Sequence, residues 1–218
     1  MSVPFYVSPE QLMKDRAEFA RKGIARGRPV LVLSCADGIL LLAENPSSSL
    51  HKIAEIYDRI GFAAVGKFNE FEGLRQAGVR YADLRGYAYD RSDVSARGLA
   101  NAYAQTLAGV FTTEQKPYEV ELVVAELGED ATADRLFRLS FDGSVAHERG
   151  HVALGAGAEA ITRSLGDTDL AGLGLEEALA AGLAAMGLAD APAAQREVAL
   201  LDRSADSPRT FRRLEADA

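Results

Sequence analysis

His147-Glu148-Arg149-Gly150-His151 places two imidazoles four residues apart with a glutamate beside the first. On a helix this spacing puts both rings on one face, where they can share a zinc ion while the carboxylate activates water. The flanks oppose a helix. Asp142-Gly143 reads as a turn, Gly150 lies inside the segment, and His151-Val-Ala-Leu154 runs on as an apolar, β-like stretch. We therefore expect an exposed loop at His147–His151 and assign no metal ligands. Cys35 is the only cysteine and ends an apolar run that begins at Val30, without a histidine nearby in sequence to activate it. It reads as a buried, reduced thiol. Gly155-Ala156-Gly157 has two glycines of a phosphate cradle but neither the third glycine nor a P-loop lysine, so close backbone packing is the expected reason for them. Arg85-Gly-Tyr-Ala-Tyr-Asp-Arg91 reads either as an interaction surface or as an irregular connection whose tyrosines pack on the body. A quieter group is Glu44, His51 and Lys52, a carboxylate closing one apolar run and a lysine opening the next.

These residues need elements to hold them. Ser8-Pro9-Glu10-Gln11 combines an N-cap, a first-turn proline, an early acid and a capping-box partner, predicting a helix from there to about Arg26. Its buried stripe is expected at Leu12, Met13, Ala17, Ala20 and Ile24, with Gly27 and Pro29 ending it. Val30–Cys35 and Ile39–Ala43 are apolar on both faces and flank Ala36-Asp37-Gly38, a hairpin covered on both sides. Lys52–Tyr57 and Gly61–Gly66 predict a second hairpin turning at Asp58-Arg59. Helices follow over about Phe68–Arg80 and within Ser95–Phe111, the latter with Leu99, Ala102, Tyr103, Thr106 and Val110 as its buried stripe. Strands over Lys116–Ala125 and Arg135–Phe141, helices over about Ala158–Leu165 and Leu175–Met186, and strands over Gln195–Asp202 and Arg209–Leu214 complete the chain. The alternation of strands and helix pairs predicts one α+β domain, a four-layer αββα sandwich with two facing sheets.

A chain of 218 residues, 48% hydrophobic, is long enough for one sizeable core. Its 24 Lys+Arg against 32 Asp+Glu give a net charge of −8, which opposes sequence-independent binding to nucleic acid or to an anionic membrane. No apolar run approaches the roughly 20 residues of a spanning helix, and the first residues have no signal-peptide pattern. The expectation is a cytoplasmic chain with no cofactor.

Ala43-Glu-Asn-Pro46, Lys52-Ile-Ala-Glu-Ile-Tyr-Asp58, Gly61-Phe-Ala-Ala-Val-Gly-Lys-Phe-Asn-Glu70, Arg85-Gly-Tyr-Ala-Tyr-Asp-Arg91, Lys116-Pro-Tyr-Glu-Val-Glu-Leu122 and Tyr6-Val-Ser-Pro-Glu-Gln11 occur in this order. Together they resemble the α subunits of the actinobacterial proteasome core particle, over essentially the whole chain through Leu214. The resemblance implies the N-terminal-nucleophile hydrolase sandwich over residues 28–214. Active β subunits of that family open on a threonine, with an acid after the second strand and a lysine at the third. The matching positions here are about Arg28, Glu44 and Lys52, so the nucleophile is missing and no catalytic residue is assigned. The first 27 residues contain no Gly-Thr junction for processing.

The resemblance further implies roles for that prefix and its surroundings. Ser2, Val3, Pro4, Phe5, Tyr6 and Val7 would form a gate tail over an axial pore, residues 8–27 a helix on the ring surface, and residues 215–218 a short C-terminal tail. Lys52 would pair with the C-terminal carboxylate of an activator tail in a pocket between adjacent subunits, with Gly66 and Lys67 hydrogen-bonding the same tail through their backbones. Implied partners are identical α subunits in a seven-membered ring, proteasome β subunits, an ATPase or other ring activator, and protein substrates tagged by a small ubiquitin-like modifier. Two readings compete with this one. One is an active N-terminal-nucleophile hydrolase matured before Ser34 or Cys35; the other is the zinc peptidase.

Overall fold

Val30–Cys35 (β1) and Gly38–Glu44 (β2) form the expected antiparallel hairpin, with Val30 opposite Ala43 and Cys35 opposite Gly38. Every β1 residue is buried, as a strand covered on both faces requires. The computed structural model describes residues 8–166 and 168–214. The expected gate tail at Ser2–Val7 and the tail at 215–218 lie outside the described residues. Ile53–Tyr57 (β3) and Ile60–Gly66 (β4) make the second hairpin. Val120–Glu126 (β5), Arg135–Leu139 (β6) and Val145–Glu148 (β7) extend it into a sheet of order β3-β4-β5-β6-β7. His151–Leu154 (β8), Arg196–Asp202 (β9) and Phe211–Leu214 (β10) join the first hairpin in a second sheet of order β10-β9-β2-β1-β8.

Strand side chains alternate between faces, and this alternation builds the layers. Val30, Val32, Ile39 and Leu41 point inward to meet Ile53, Ala63, Val65 and Val123 of the facing sheet. Leu31, Leu33, Leu40 and Leu42 point outward beneath Ala158–Leu165 (α4) and Leu175–Ala185 (α5). Phe62, Leu122 and Val124 lie on the opposite outer face under Phe68–Ala88 (α2) and Ala96–Thr113 (α3). The result is the predicted four-layer αββα sandwich, the form that the N-terminal-nucleophile hydrolase resemblance implies.

Several local expectations are corrected. Pro9–Ile24 (α1) is capped by Ser8, whose side chain accepts from the Gln11 N–H, but the Gln11 side chain turns forward to Asp15 and the capping box stays open. Leu12 is 49% exposed, because only the second half of α1, through Ala20 and Ile24, lies against Phe141 and Phe111. Helix α2 runs to Ala88 instead of ending near Arg80, so the start of the Arg85–Arg91 segment is helical. Its Gly86 fits because a Cβ there would lie 2.3 Å from the Tyr57 hydroxyl, a contact that outweighs the weak helix propensity of glycine. Tyr87 and Tyr89 are 93% and 75% exposed, so they do not pack on the body. In α3 the buried row is Leu99, Ala100, Tyr103 and Leu107, with Thr106 exposed. The strand expected from Lys116 starts at Val120, since Lys116 and the Glu119 N–H are drawn off to Glu70.

The largest correction concerns His147–His151. The segment is exposed at His147, Arg149 and Gly150 as expected, but it is not a loop throughout: it ends β7 and begins β8, which belong to different sheets, and the chain crosses between them at Arg149-Gly150. His147 stacks on Phe137 at 5.1 Å while His151 stands opposite Leu33. No helix turn aligns the two imidazoles, so the zinc-peptidase geometry does not form.

Candidate functional site

Arg28 sits just before β1, Glu44 ends β2 and Lys52 immediately precedes β3. The two hairpins bring these three residues together at one end of the sandwich. The Lys52 ammonium donates to the Arg28 carbonyl at 2.8 Å, and the Arg28 guanidinium pairs with the Glu44 carboxylate. Gly155, at φ +83°, closes the back of this corner, where a Cβ would lie 2.8 Å from the Gly27 carbonyl and 3.2 Å from that of Arg28. The Ala156 N–H also bonds Gly27 O at 2.9 Å, so close backbone packing is the observed use of Gly155, whereas Gly157 has open space around it and is called for by its φ of +73° at the start of α4.

Burial brings the Lys52 ammonium down to about 8, countered by the Glu44 carboxylate and reinforced by the neighbouring Arg28 cation. Near neutral pH it is still mainly charged, and with one proton on Arg28 O an ammonium retains two donors for an incoming anion. The corner holds an acid and a lysine but no hydroxyl or thiol at residue 28, and the backbone continues from Arg28 into Gly27 and α1 without a free amine. Ser34 and Cys35 are buried within the paired strand β1, and burial pushes the Cys35 thiol above its usual range.

Backbone direction adds a second feature. The Ala64 N–H donates to Lys52 O on the β3 side of β4, and the Lys67 N–H donates to Glu119 O on the β5 side. Successive residues of a strand alternate, so the Gly66 N–H and C=O point to the β3 side, past Lys52, where β3 has not begun. Lys67 is committed differently: its amide is taken and its ammonium lies 3.0 Å from Glu119 Oε1. Gly66 itself is required here. At φ +118° a Cβ would stand 1.8 Å from Glu119 O, so Gly66→Ala should destabilise the fold by about 2–4 kcal/mol, measured by urea unfolding. An unchanged midpoint would contradict this packing.

The sequence model of the family described as "Proteasome subunit" matches residues 24–195. The chain belongs to this family. Among curated proteins, "Proteasome subunit alpha" of Xylanimonas cellulosilytica is 62% identical, aligning with 100% of this chain and 94% of the relative. Its counterparts in Kineococcus radiotolerans and Pseudarthrobacter chlorophenolicus are 62% and 59% identical over 98% of this chain. Within the proteasome subunit fold the Arg28–Glu44–Lys52 corner is therefore the place where the resemblance puts the nucleophile frame, with arginine at the position of the threonine.

Sequence reasoning missed the residue that holds this corner of the proteasome subunit in place. Glu197, 145 residues beyond Lys52, is 8% exposed and accepts the Lys52 N–H at 2.9 Å. No local signal marks it, because an acid at a strand start looks like a solvated charge until the facing sheet is placed. Among the described residues no group of three or more His, Cys, Asp or Glu could hold a metal ion. No described helix is long and apolar enough to cross a membrane.

Proposed function

We propose that this chain is a catalytically silent α subunit of the proteasome core particle, which caps a ring of β-subunit threonine peptidases, gates substrate entry and docks ring activators. The observation that carries the proposal is the Arg28–Glu44–Lys52 corner, which retains an acid and a lysine but offers an arginine inside a continuous chain where a nucleophile would be. With no nucleophile to activate, the ammonium of Lys52 and the outward backbone of Gly66 suit a different task. They can receive an extended peptide end, its carboxylate on Lys52 and its backbone on Gly66. Lys67, held on Glu119, frames the same pocket. The exposed apolar side chains of α1, Leu12 and Phe19, suit contacts with neighbouring copies in a heptameric ring. Residues 2–7 would then form the gate, and the substrates would be proteins bearing a small ubiquitin-like tag in the cytoplasm.

Mixing the purified chain with its β partner should yield a peptidase that appears in negative-stain micrographs as a four-ring stack. The α chain alone should cleave no peptide. Peptide cleavage by the lone chain, with an intact mass showing loss of residues before Ser34 or Cys35, would overturn this proposal in favour of a self-processed hydrolase.

A further inference from the structure

The connection from β2 to β3 crosses from one sheet to the other, and Lys52 lies at its far end. A side chain in that place points usefully only if the first residues of β3 are held in a fixed phase. Five nitrogen atoms converge on the Glu197 carboxylate at 2.8–3.2 Å. Oε2 receives Asn45 Nδ2 and the Lys52 N–H, while Oε1 receives the Ile53 N–H and Arg213 Nη1, with His51 Nδ1 lying 3.2 Å from it. Glu197 stands in β9 opposite Ala43 of β2, so a carboxylate rooted in one sheet grips the start of a strand in the other. Arg213 tightens the grip by donating also to Ile53 O at 2.8 Å. Burying a carboxylate is costly unless it is paired and hydrogen-bonded, and here the guanidinium and the backbone donors supply that compensation.

We propose that Glu197 is the positioning residue of the carboxylate-docking pocket: by accepting the consecutive N–H groups of Lys52 and Ile53, it sets the phase of β3 and aims the Lys52 ammonium at the pocket. This rests on the docking role of Lys52 argued above. Glutamine in place of Glu197 cannot do the same job. Its amide nitrogen must face either Asn45 and Lys52 or Ile53 and Arg213, and each choice sets donor against donor.

The test uses assembled α–β barrels and a short fluorescent peptide copied from the C-terminus of the cognate ATPase ring, made as the free acid and as the C-terminal amide. Wild-type barrels should prefer the acid. Glu197→Gln should cut that preference by about tenfold or more. The Glu197 charge itself helps hold the Lys52 amine up, so its loss beside an unmoved ammonium would take the titration below about 8; release of the ammonium into water, which the proposal expects, should instead raise it toward the ordinary 10.5, followed by NMR of the selectively labelled lysine. Were Glu197 only a fold support, the preference would stay intact and the lost charge alone would move the titration down, not up. Should Glu197→Gln fail to assemble, Glu197→Asp, which keeps the charge but shortens the reach, is read in the same two ways and should lower the preference part-way. Lys52→Ala separates the two levels. If it leaves the acid preference intact, the docking reading itself fails. If it abolishes the preference while the Glu197 variants retain both the preference and the low titration, only the positioning role of Glu197 is overturned.

Discussion

Lys52→Ala should reduce activator stimulation of the assembled barrel nearly to the unstimulated rate, measured as the ratio of protein degradation with and without the activator ring. The lost interaction is a charge-assisted hydrogen bond at a half-buried site, worth about 1.5–3 kcal/mol. That corresponds to about 10- to 150-fold in affinity for one tail. A ring repeats the pocket once per subunit, so the deficit recurs at each tail and compounds through avidity. Folding should change little, because the substitution removes one donor from Arg28 O, which water can replace. A stimulation ratio equal to wild type would remove Lys52 from the docking role.

The titration of Lys52 gives the same prediction a pH signature. The carboxylate tail prefers the ammonium form, so affinity should fall by up to about tenfold per pH unit once pH rises through about 8. Stability should move the other way. The unfolded lysine keeps its proton up to 10.5, so between 8 and 10.5 the unfolded chain binds more protons and the Lys52 share of stability rises with pH. Opposite slopes for docking and for unfolding distinguish this residue from general alkaline denaturation.

Deleting residues 2–7 should raise unstimulated hydrolysis of a fluorogenic peptide severalfold, toward the rate of the activated barrel. The cut leaves Ser8 in place, and Ser8 caps α1 through the Gln11 N–H, so the helix and its anchorage at Ala20 and Ile24 should survive. Capping is worth about 1 kcal/mol, and a deletion extending through Ser8 would confound loss of the gate with fraying of the helix. An unstimulated rate unchanged by removal of residues 2–7 would argue against a gate in this segment.

Periodicity and turn chemistry made most of the elements legible, since both are local. Asp37-Gly38 marks a hairpin, and the apolar runs on either side declare strands buried on both faces. Where a local rule met a distant neighbour, it failed. The helix expected to stop near Arg80 runs on through Gly86, where the Tyr57 hydroxyl fills the space a side chain would need. Thr106 and Leu107 exchanged burial because α3 lies on β5 and β6 with a rotation that helical spacing alone leaves open. The histidine pair looked like one motif, yet its members entered different sheets.

The candidate site divides in the same way. The sequence by itself determined that residue 28 is arginine, that a capped helix precedes it, and that an acid and a lysine stand at the hairpin ends, because residue type and local spacing are written along the chain. That Lys52 meets the Arg28 carbonyl, that Gly66 lies beyond the last paired residue of β3, and that Glu197 accepts from the start of that strand follow from tertiary packing alone. Those contacts join strands of facing sheets. Their geometry depends on how the two sheets stack, and no pattern within a single strand encodes it.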